Sequence, residues 1–122
     1  MANALNTLAL AHKARLAELG EEPAGAAARA NHARLVIVAA DASDHTWRRA
    51  LSFVAGTNQM CLRVEFTKEE MGKVVGRDSL AIAAFTDPAL ALSFVKALGN
   101  PEKYAEVIES LEIRANRVRQ RQ

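Results

Sequence analysis

The apolar stretch LVIVAA, residues 35–40, followed directly by DASD, residues 41–44, decides the fold class of this chain. The apolar run is short, contains three β-branched residues and is bounded by polar residues, so it predicts a strand buried on both faces. DASD is typical of a loop and a helix cap, and a helix is predicted from about His45 to Val54, ending at Gly56. A buried strand that leads into a helix indicates an α/β protein.

Two helices are predicted before this strand. Apolar residues recur at helical spacing through residues 3–19, a segment without glycine or proline, and Gly20 is expected to end that helix. A short, alanine-rich helix then begins at Glu21, has Pro23 in its first turn and closes at residues 31–32.

After the strand, helices and strands alternate. Residues 60–66 predict a strand with one solvent-exposed, wet face. Thr67 and Glu70 predict a capping box for a helix that ends at Gly76, and residues 79–85 predict an apolar strand. A helix from Asp87 to Leu98 and a final helix capped by Asn100 complete the chain. This order predicts a sheet between two helical layers. The final helix bears an apolar stripe that could pack on the domain or on another chain: Tyr104, Ile108, Leu111, Ala115 and Val118.

Composition narrows the function classes. The 122 residues suit one domain, with 50% hydrophobic and 25% charged residues. The single cysteine, Cys61, excludes an internal disulfide and suits a reducing compartment. Neither a signal peptide nor a membrane-length apolar run is present in the sequence, which predicts a cytoplasmic protein without membrane contact. The net charge is +2, and the last nine residues contain no acid and four arginines: Arg114, Arg117, Arg119 and Arg121.

Four segments coincide, in order and in spacing, with one known family. They are LALAHKA (8–14), GEE (20–22), RLVIVAADAS (34–43) and FTKEEMGKVVG (66–76). The chain thereby resembles the kink-turn-binding ribosomal proteins (the L seven-Ae and L thirty-e class), and among them the smaller YlxQ-type bacterial proteins. The resemblance covers roughly residues 8–98. It implies a three-layer α/β/α sandwich with a four-stranded mixed sheet, to which this chain adds a C-terminal amphipathic helix. We divide the chain into an RNA-binding domain, residues 1–99, and a helix with a basic tail, residues 100–122.

The resemblance further implies a non-enzymatic protein that binds structured RNA, either a kink-turn or ribosomal RNA, with the ribosome as a candidate partner and no cofactor. The turn Gly20-Glu21-Glu22 would contact base edges, because a glycine permits close approach, a helix N-terminus offers free N–H groups, and a carboxylate accepts from guanine. Cations near the turn would hold phosphates, and the loop at residues 76–79 would pack on exposed bases. The predicted RNA-binding residues are Lys13, Arg15, Gly20, Glu21, Glu22, Arg34, Lys73, Gly76, Arg77, Asp78 and Ser79.

Three positions depart from the archaeal pattern of the family. Glu22 stands where that pattern has an asparagine. Pro23 replaces the usual glutamate, and Ala26 stands where the family has a lysine, so one phosphate contact is expected to be lost. The arginines of the tail are candidates to replace that charge. The loss also leaves open a protein-interaction module of the same fold, with oligomerisation through the C-terminal helix.

Several of these residues also have an ordinary structural interpretation. Glu21 and Glu22 are also ordinary first-turn acids of a helix. Trp47 is expected in the core rather than as a stacking platform, and Cys61 as a small strand residue. No catalytic arrangement or metal-ligand spacing is found, so neither catalytic nor metal-binding residues are predicted. The three histidines are scattered: His12, His32 and His45.

Overall fold

A computed structural model describes residues 3–120, with only the backbone described for residues 119 and 120. The elements are α1 (Ala4–Lys13), β1 (Ala17–Leu19), α2 (Glu21–Arg29), β2 (Leu35–Val38), α3 (Asp44–Val54), β3 (Cys61–Arg63), α4 (Lys68–Lys73), β4 (Ile82–Phe85), α5 (Pro88–Ala97) and α6 (Ala105–Gln120).

The four strands form one mixed sheet in the order β1-β4-β2-β3. Strand β4 pairs antiparallel with β1 and with β2, whereas β2 and β3 are parallel. Helices α2 and α3 pack against each other on β2 and β4, and α1, α5 and α6 form a second packed group that contacts β1 and β4. This is the predicted three-layer α/β/α sandwich with a four-stranded mixed sheet.

The core lies on both faces of the central strands. All four residues of β2 and all four of β4 are buried, which confirms the predicted central strand. The rings of Phe85 in β4 and Phe94 in α5 lie 5.0 Å apart between centroids and are tilted by 47°. Such tilted aromatic contacts are favourable, and this one joins the sheet to the α5 layer.

The local capping predictions are confirmed. Ser43 accepts a hydrogen bond from the Thr46 amide at the start of α3, and Asp87 accepts one from the Leu90 amide at the start of α5. Thr67 and Glu70 form the predicted capping box of α4. Strand β3 lies at the sheet edge, which agrees with the predicted wet face, although it is only three residues long.

The prediction of one helix through residue 19 is wrong. Helix α1 ends at Lys13 because Arg15 adopts a left-handed backbone, φ 60°. The Arg15 amide donates to the His12 carbonyl and the Leu16 amide to the Ala11 carbonyl, which is a Schellman motif. Residues 17–19 then form edge strand β1, so Gly20 follows a strand and precedes α2.

The final helix begins later than predicted. Asn100 caps a turn over residues 100–104, where its backbone carbonyl accepts from the Tyr104 amide, and α6 starts at Ala105. Most of the apolar stripe packs within the fold, since α6 packs on α5, Leu111 and Ala115 are buried, and Tyr104 and Ile108 are half-buried, whereas Val118 is exposed. Oligomerisation through α6, and the division of the chain at residue 99, stay predictions. Among residues 3–120, no helix combines the length and the apolar character that a bilayer span requires.

Candidate nucleic-acid interface

The turn at Gly20 connects strand β1 directly to helix α2. Gly20 has φ 98°, a conformation that side chains rarely allow, and its amide donates to the Ile82 carbonyl at 2.9 Å. Gly20 is also the N-cap of α2, and no side chain among the described residues caps this end. The first-turn amides of Glu21 and Glu22 therefore lie at an open helix N-terminus, which favours anionic or hydrogen-bond-accepting ligands.

The guanidinium of Arg77 packs against this turn. A Cβ placed on Gly20 would lie 3.7 Å from an Arg77 guanidinium nitrogen. The contact brings together two segments that are 57 positions apart in the chain, the GEE turn and the loop at residues 76–79. These are the two segments that the resemblance implies for RNA contact.

Gly72 allows the loop at residues 76–79 to lie close to α4. A Cβ at Gly72 would come within 2.8 Å of the Ser79 amide nitrogen and 2.9 Å of the Arg77 carbonyl oxygen, both backbone atoms. The Arg77 amide donates to the Gly72 carbonyl at 2.9 Å, and Gly76 between them has φ 75°. Gly72 on α4 and Gly76 after it thus determine where the Arg77 backbone lies.

Glu21 forms an ion pair with Arg49 of α3, Oε1 to Nε at 3.0 Å. The Arg49 guanidinium also lies over the ring of Phe53, 5.2 Å from its centroid. Both partners are about two-fifths exposed, so water screens the pair and its net contribution to stability is small, about 0–1 kcal/mol. Its structural effect is to set one cation beside the acidic turn, while Glu22 stays exposed and has no ion-pair partner among the described residues.

Eight of the predicted residues lie together at this end of the sheet, where β1 ends and β4 begins. Lys73 is exposed in the last turn of α4, and the loop from Gly76 to Ser79 is exposed throughout. We call this set the Gly20 surface: Gly20, Glu21, Glu22, Lys73, Gly76, Arg77, Asp78 and Ser79.

The other three predicted residues do not surround the turn. The Arg34 amide donates to the Phe85 carbonyl, and the Leu16 carbonyl, which follows Lys13 and Arg15, accepts from the Thr86 amide. Both hydrogen bonds lie at the end of β4 opposite Ile82. Ile82 and Thr86 are four residues apart, which is about 13 Å along a strand. The expectation that Lys13, Arg15 and Arg34 flank the GEE turn is therefore wrong. For Lys13 and Arg15 the reason is that the predicted first helix ran through a strand, whereas Arg34 directly precedes β2, whose first residue pairs with Phe85 at this far end.

Sequence reasoning missed Arg49 as a cation of the Gly20 surface. Helical spacing places Arg49 on α3 but does not indicate that α3 packs beside the start of α2. Gly25 lies in that contact, where a Cβ would come within 2.8 Å of the Phe53 ring. Ala26 is exposed, as a position facing a ligand would be, and the guanidinium of Arg29 lies along the same helix, 3.2 Å from the Cβ position of Gly25.

The remaining candidates have ordinary surroundings. Trp47 is half-buried, packs against the core and has the Arg63 guanidinium 5.2 Å from its ring centroid. Burial raises the pKa of the Cys61 thiol to about 12, which disfavours a thiolate nucleophile. No group of three or more histidine, cysteine or acidic side chains within residues 3–120 is placed to hold a metal ion. Arg121 lies outside the described residues.

No family model and no curated protein matches the sequence. Many solved structures share this fold, among them the following two. A protein of unknown function from Bacillus halodurans superposes with a TM-score of 0.74 at 23% identity, over 82% of this chain and 100% of that chain. A 15.5 kD RNA-binding protein from Giardia lamblia superposes with a TM-score of 0.65 at 18% identity, over 88% of this chain and 85% of that chain. At these identities the likeness establishes the fold.

Proposed function

We propose that this chain is a non-enzymatic RNA-binding protein that recognises structured RNA of the kink-turn type through the Gly20 surface. The observation that supports it most is the contact between Arg77 and the Gly20 turn, which joins the two segments that resemble RNA-contacting segments of kink-turn proteins. The Giardia protein of the same fold, itself an RNA-binding protein, supports the assignment of RNA as the ligand.

Each part of the surface has a distinct task in this proposal. The open N-terminus of α2 and the exposed Glu22 carboxylate hydrogen-bond to base edges, which a kinked RNA displays and a regular A-form groove hides. Arg77, Arg49 and Lys73 offset the acidic turn and contact phosphates. The missing lysine at Ala26 is then compensated by arginines that reach the turn from α3 and from the loop after α4.

The same proposal takes the RNA to be ribosomal RNA in the cytoplasm of a bacterial cell and the chain to be one of the YlxQ-type proteins. The protein-adaptor alternative is less favoured, because Leu111 and Ala115 of the α6 stripe are buried, although Val118 is exposed.

The test compares affinity for a kink-turn RNA with affinity for a straight duplex of equal length. We expect the kink-turn to bind more tightly, and Glu22→Ala to reduce that preference while leaving duplex binding nearly unchanged. Arg77→Gln should weaken both complexes and make the dependence of log K on log salt concentration shallower by about 1. Lys96→Gln, on an exposed position of α5, is the matched control for loss of one charge. Equal, weak binding of both RNAs would contradict the proposal.

A further inference from the structure

Three arginines gather around a cleft at the end of the sheet opposite the Gly20 surface. The cleft has a volume of about 260 Å³, and we call it the arginine pocket; its lining residues are Asn31, Arg34, Asn58, Pro88, Arg114, Arg117 and Val118. A neighbouring cleft of about 270 Å³ shares Asn58, Arg114 and Arg117. The tail of α6 and the loop before β2 therefore form one basic surface, although they are distant in sequence.

Buried hydrogen bonds hold the frame of this pocket. Gln59 is only 5% exposed; its Oε1 accepts from the Ala33 amide and its Nε2 donates to the Ala28 carbonyl, at 2.9 and 3.0 Å. Gln59 thereby fixes the loop that leads to Arg34. On the other wall, the Arg114 guanidinium donates to the Asn58 carbonyl, which anchors α6 to the loop before β3.

The charge in the pocket is not balanced by the residues that line it. No carboxylate is among the lining residues that the structure describes, and the nearest in sequence, Asp87 beside Pro88, accepts a hydrogen bond from the Leu90 amide at 2.9 Å. Burial lowers the pKa of Arg114, and the charges of Arg34 and Arg117 lower it further. Three like charges so placed repel one another, and a bound anion would relieve that repulsion.

The donors suit a phosphate group. Guanidinium groups offer forked N–H donors that match phosphate oxygens, and the Asn31 and Asn58 side chains are further potential donors. Arg34 and Arg114 are half-buried and Arg117 is exposed, so the pocket opens at the surface. Lys13 and Arg15 add exposed charge to the same end of the sheet, beyond the pocket itself. Such a spread of cations suits a polyanion that continues past one phosphate.

We infer that the arginine pocket binds a backbone phosphate of the RNA whose base edges are read at the Gly20 surface, as a second and separate contact. The inference rests on the proposed function. Helix α2 connects the two sites and its nine residues span about 13 Å, so the RNA must extend beyond the kink to reach the pocket. This second contact gives Arg34, together with the tail arginines Arg114 and Arg117, a place in recognition.

The test measures RNA affinity as a function of salt for the full chain and three variants, using a kink-turn RNA with long flanking helices. Arg34→Gln and Arg117→Gln should each make the slope of log K against log salt concentration shallower by about 1. Lys96→Gln, which removes one exposed charge elsewhere, should leave the slope unchanged. Arg117 is exposed, so its substitution should not alter the melting temperature, and any change in affinity can be assigned to binding.

The outcomes distinguish failure of the arginine pocket from failure of the proposed function. Equal slopes for the wild type, Arg34→Gln and Arg117→Gln would overturn the pocket, while a retained preference for the kink-turn would leave the proposed function intact. Absence of any RNA binding by the wild type would overturn both. Inorganic phosphate, titrated alone and followed by amide chemical shifts, separates the sources of the anion. If phosphate shifts the Arg34 and Asn58 amides while the RNA slopes stay equal, the pocket takes a free anion and the assignment to RNA is wrong.

Discussion

The substitution Gly72→Ala tests how α4 positions the loop of the Gly20 surface. The added methyl would lie 2.8 Å from the Ser79 amide nitrogen and 2.9 Å from both the Ser79 Cα and the Arg77 carbonyl oxygen. Ordinary contacts of a Cβ begin near 3.4 Å, so the loop backbone must retreat by about 0.6 Å. Overpacking costs about 1–3 kcal/mol, and here it lies in the upper part of that range, about 2–3 kcal/mol, because the atoms met are backbone; the better helix propensity of alanine returns about 1 kcal/mol. We expect a net loss of about 1–2 kcal/mol in the free energy of unfolding.

Chemical denaturation measures that loss, and Gly25→Ala is the contrasting variant. Gly25 is also buried within a helix, but its added methyl meets the tip of the half-buried Phe53 ring, which can rotate away. Gly25→Ala should therefore stay within about 1 kcal/mol of the wild type. Gly72→Ala should in addition weaken RNA binding, because Arg77 moves with the loop. A Gly72→Ala protein as stable as the wild type would refute the argument that backbone contact fixes this loop.

Three further predictions concern single residues. Arg15→Gly should stabilise the chain by about 0.5–1 kcal/mol in thermal or chemical denaturation, because it removes a side chain from a left-handed backbone position; a destabilised variant would contradict this. Thr67→Ala should cost about 1 kcal/mol by the same measurement, since the Glu70 amide loses its capping oxygen, and an unchanged midpoint would count against the cap. The Cys61 thiol should react with a disulfide reagent at pH 8 far more slowly in the native chain than in denaturant, because its pKa is raised to about 12. Since burial favours the neutral thiol, the contribution of Cys61 to stability should be complete below about pH 9 and decline as pH rises toward 12. Equal rates of reaction with the disulfide reagent in the native and the denatured chain would contradict the burial of the thiol.

Patterns that depend on a few neighbouring residues predicted their elements well. The buried run at residues 35–40 contains the central strand, and the caps at Ser43, Thr67 and Asp87 start helices where the sequence indicates. At the three caps the hydrogen-bonding side chain lies within three residues of its partner, and the buried strand is a continuous apolar run. Local chemistry is then sufficient to predict the structure.

The edge strand β1 was missed for a physical reason. Its three residues follow an alanine- and leucine-rich segment with high helix propensity, and the residue that ends α1 in the left-handed conformation is Arg15, where a glycine is the usual signal. Only pairing with β4 stabilises residues 17–19 as a strand, and that pairing is formed by residues more than 60 positions later. The error moved Lys13 and Arg15 to the wrong end of the sheet.

The candidate site likewise contains features that the sequence predicted and features that it did not. The Gly20 turn and the loop at residues 76–79 were predicted by resemblance, and the structure brings them together through Arg77. The positions of Arg49 and Arg114 were not predictable from sequence spacing. Arg49 of α3 forms an ion pair with Glu21 of α2, and Arg114 of the last helix donates a hydrogen bond to the Asn58 carbonyl. Tertiary contacts between distant segments determine both groupings.

The most direct test of the account is an amide chemical-shift map of the labelled full chain on titration with a kink-turn RNA. The account predicts the largest changes at Gly20–Glu22 and at Gly76–Ser79, with a straight duplex producing much smaller changes at these positions. Changes of equal size with both RNAs, or changes that avoid the Gly20 turn and the 76–79 loop, would contradict recognition through the Gly20 surface.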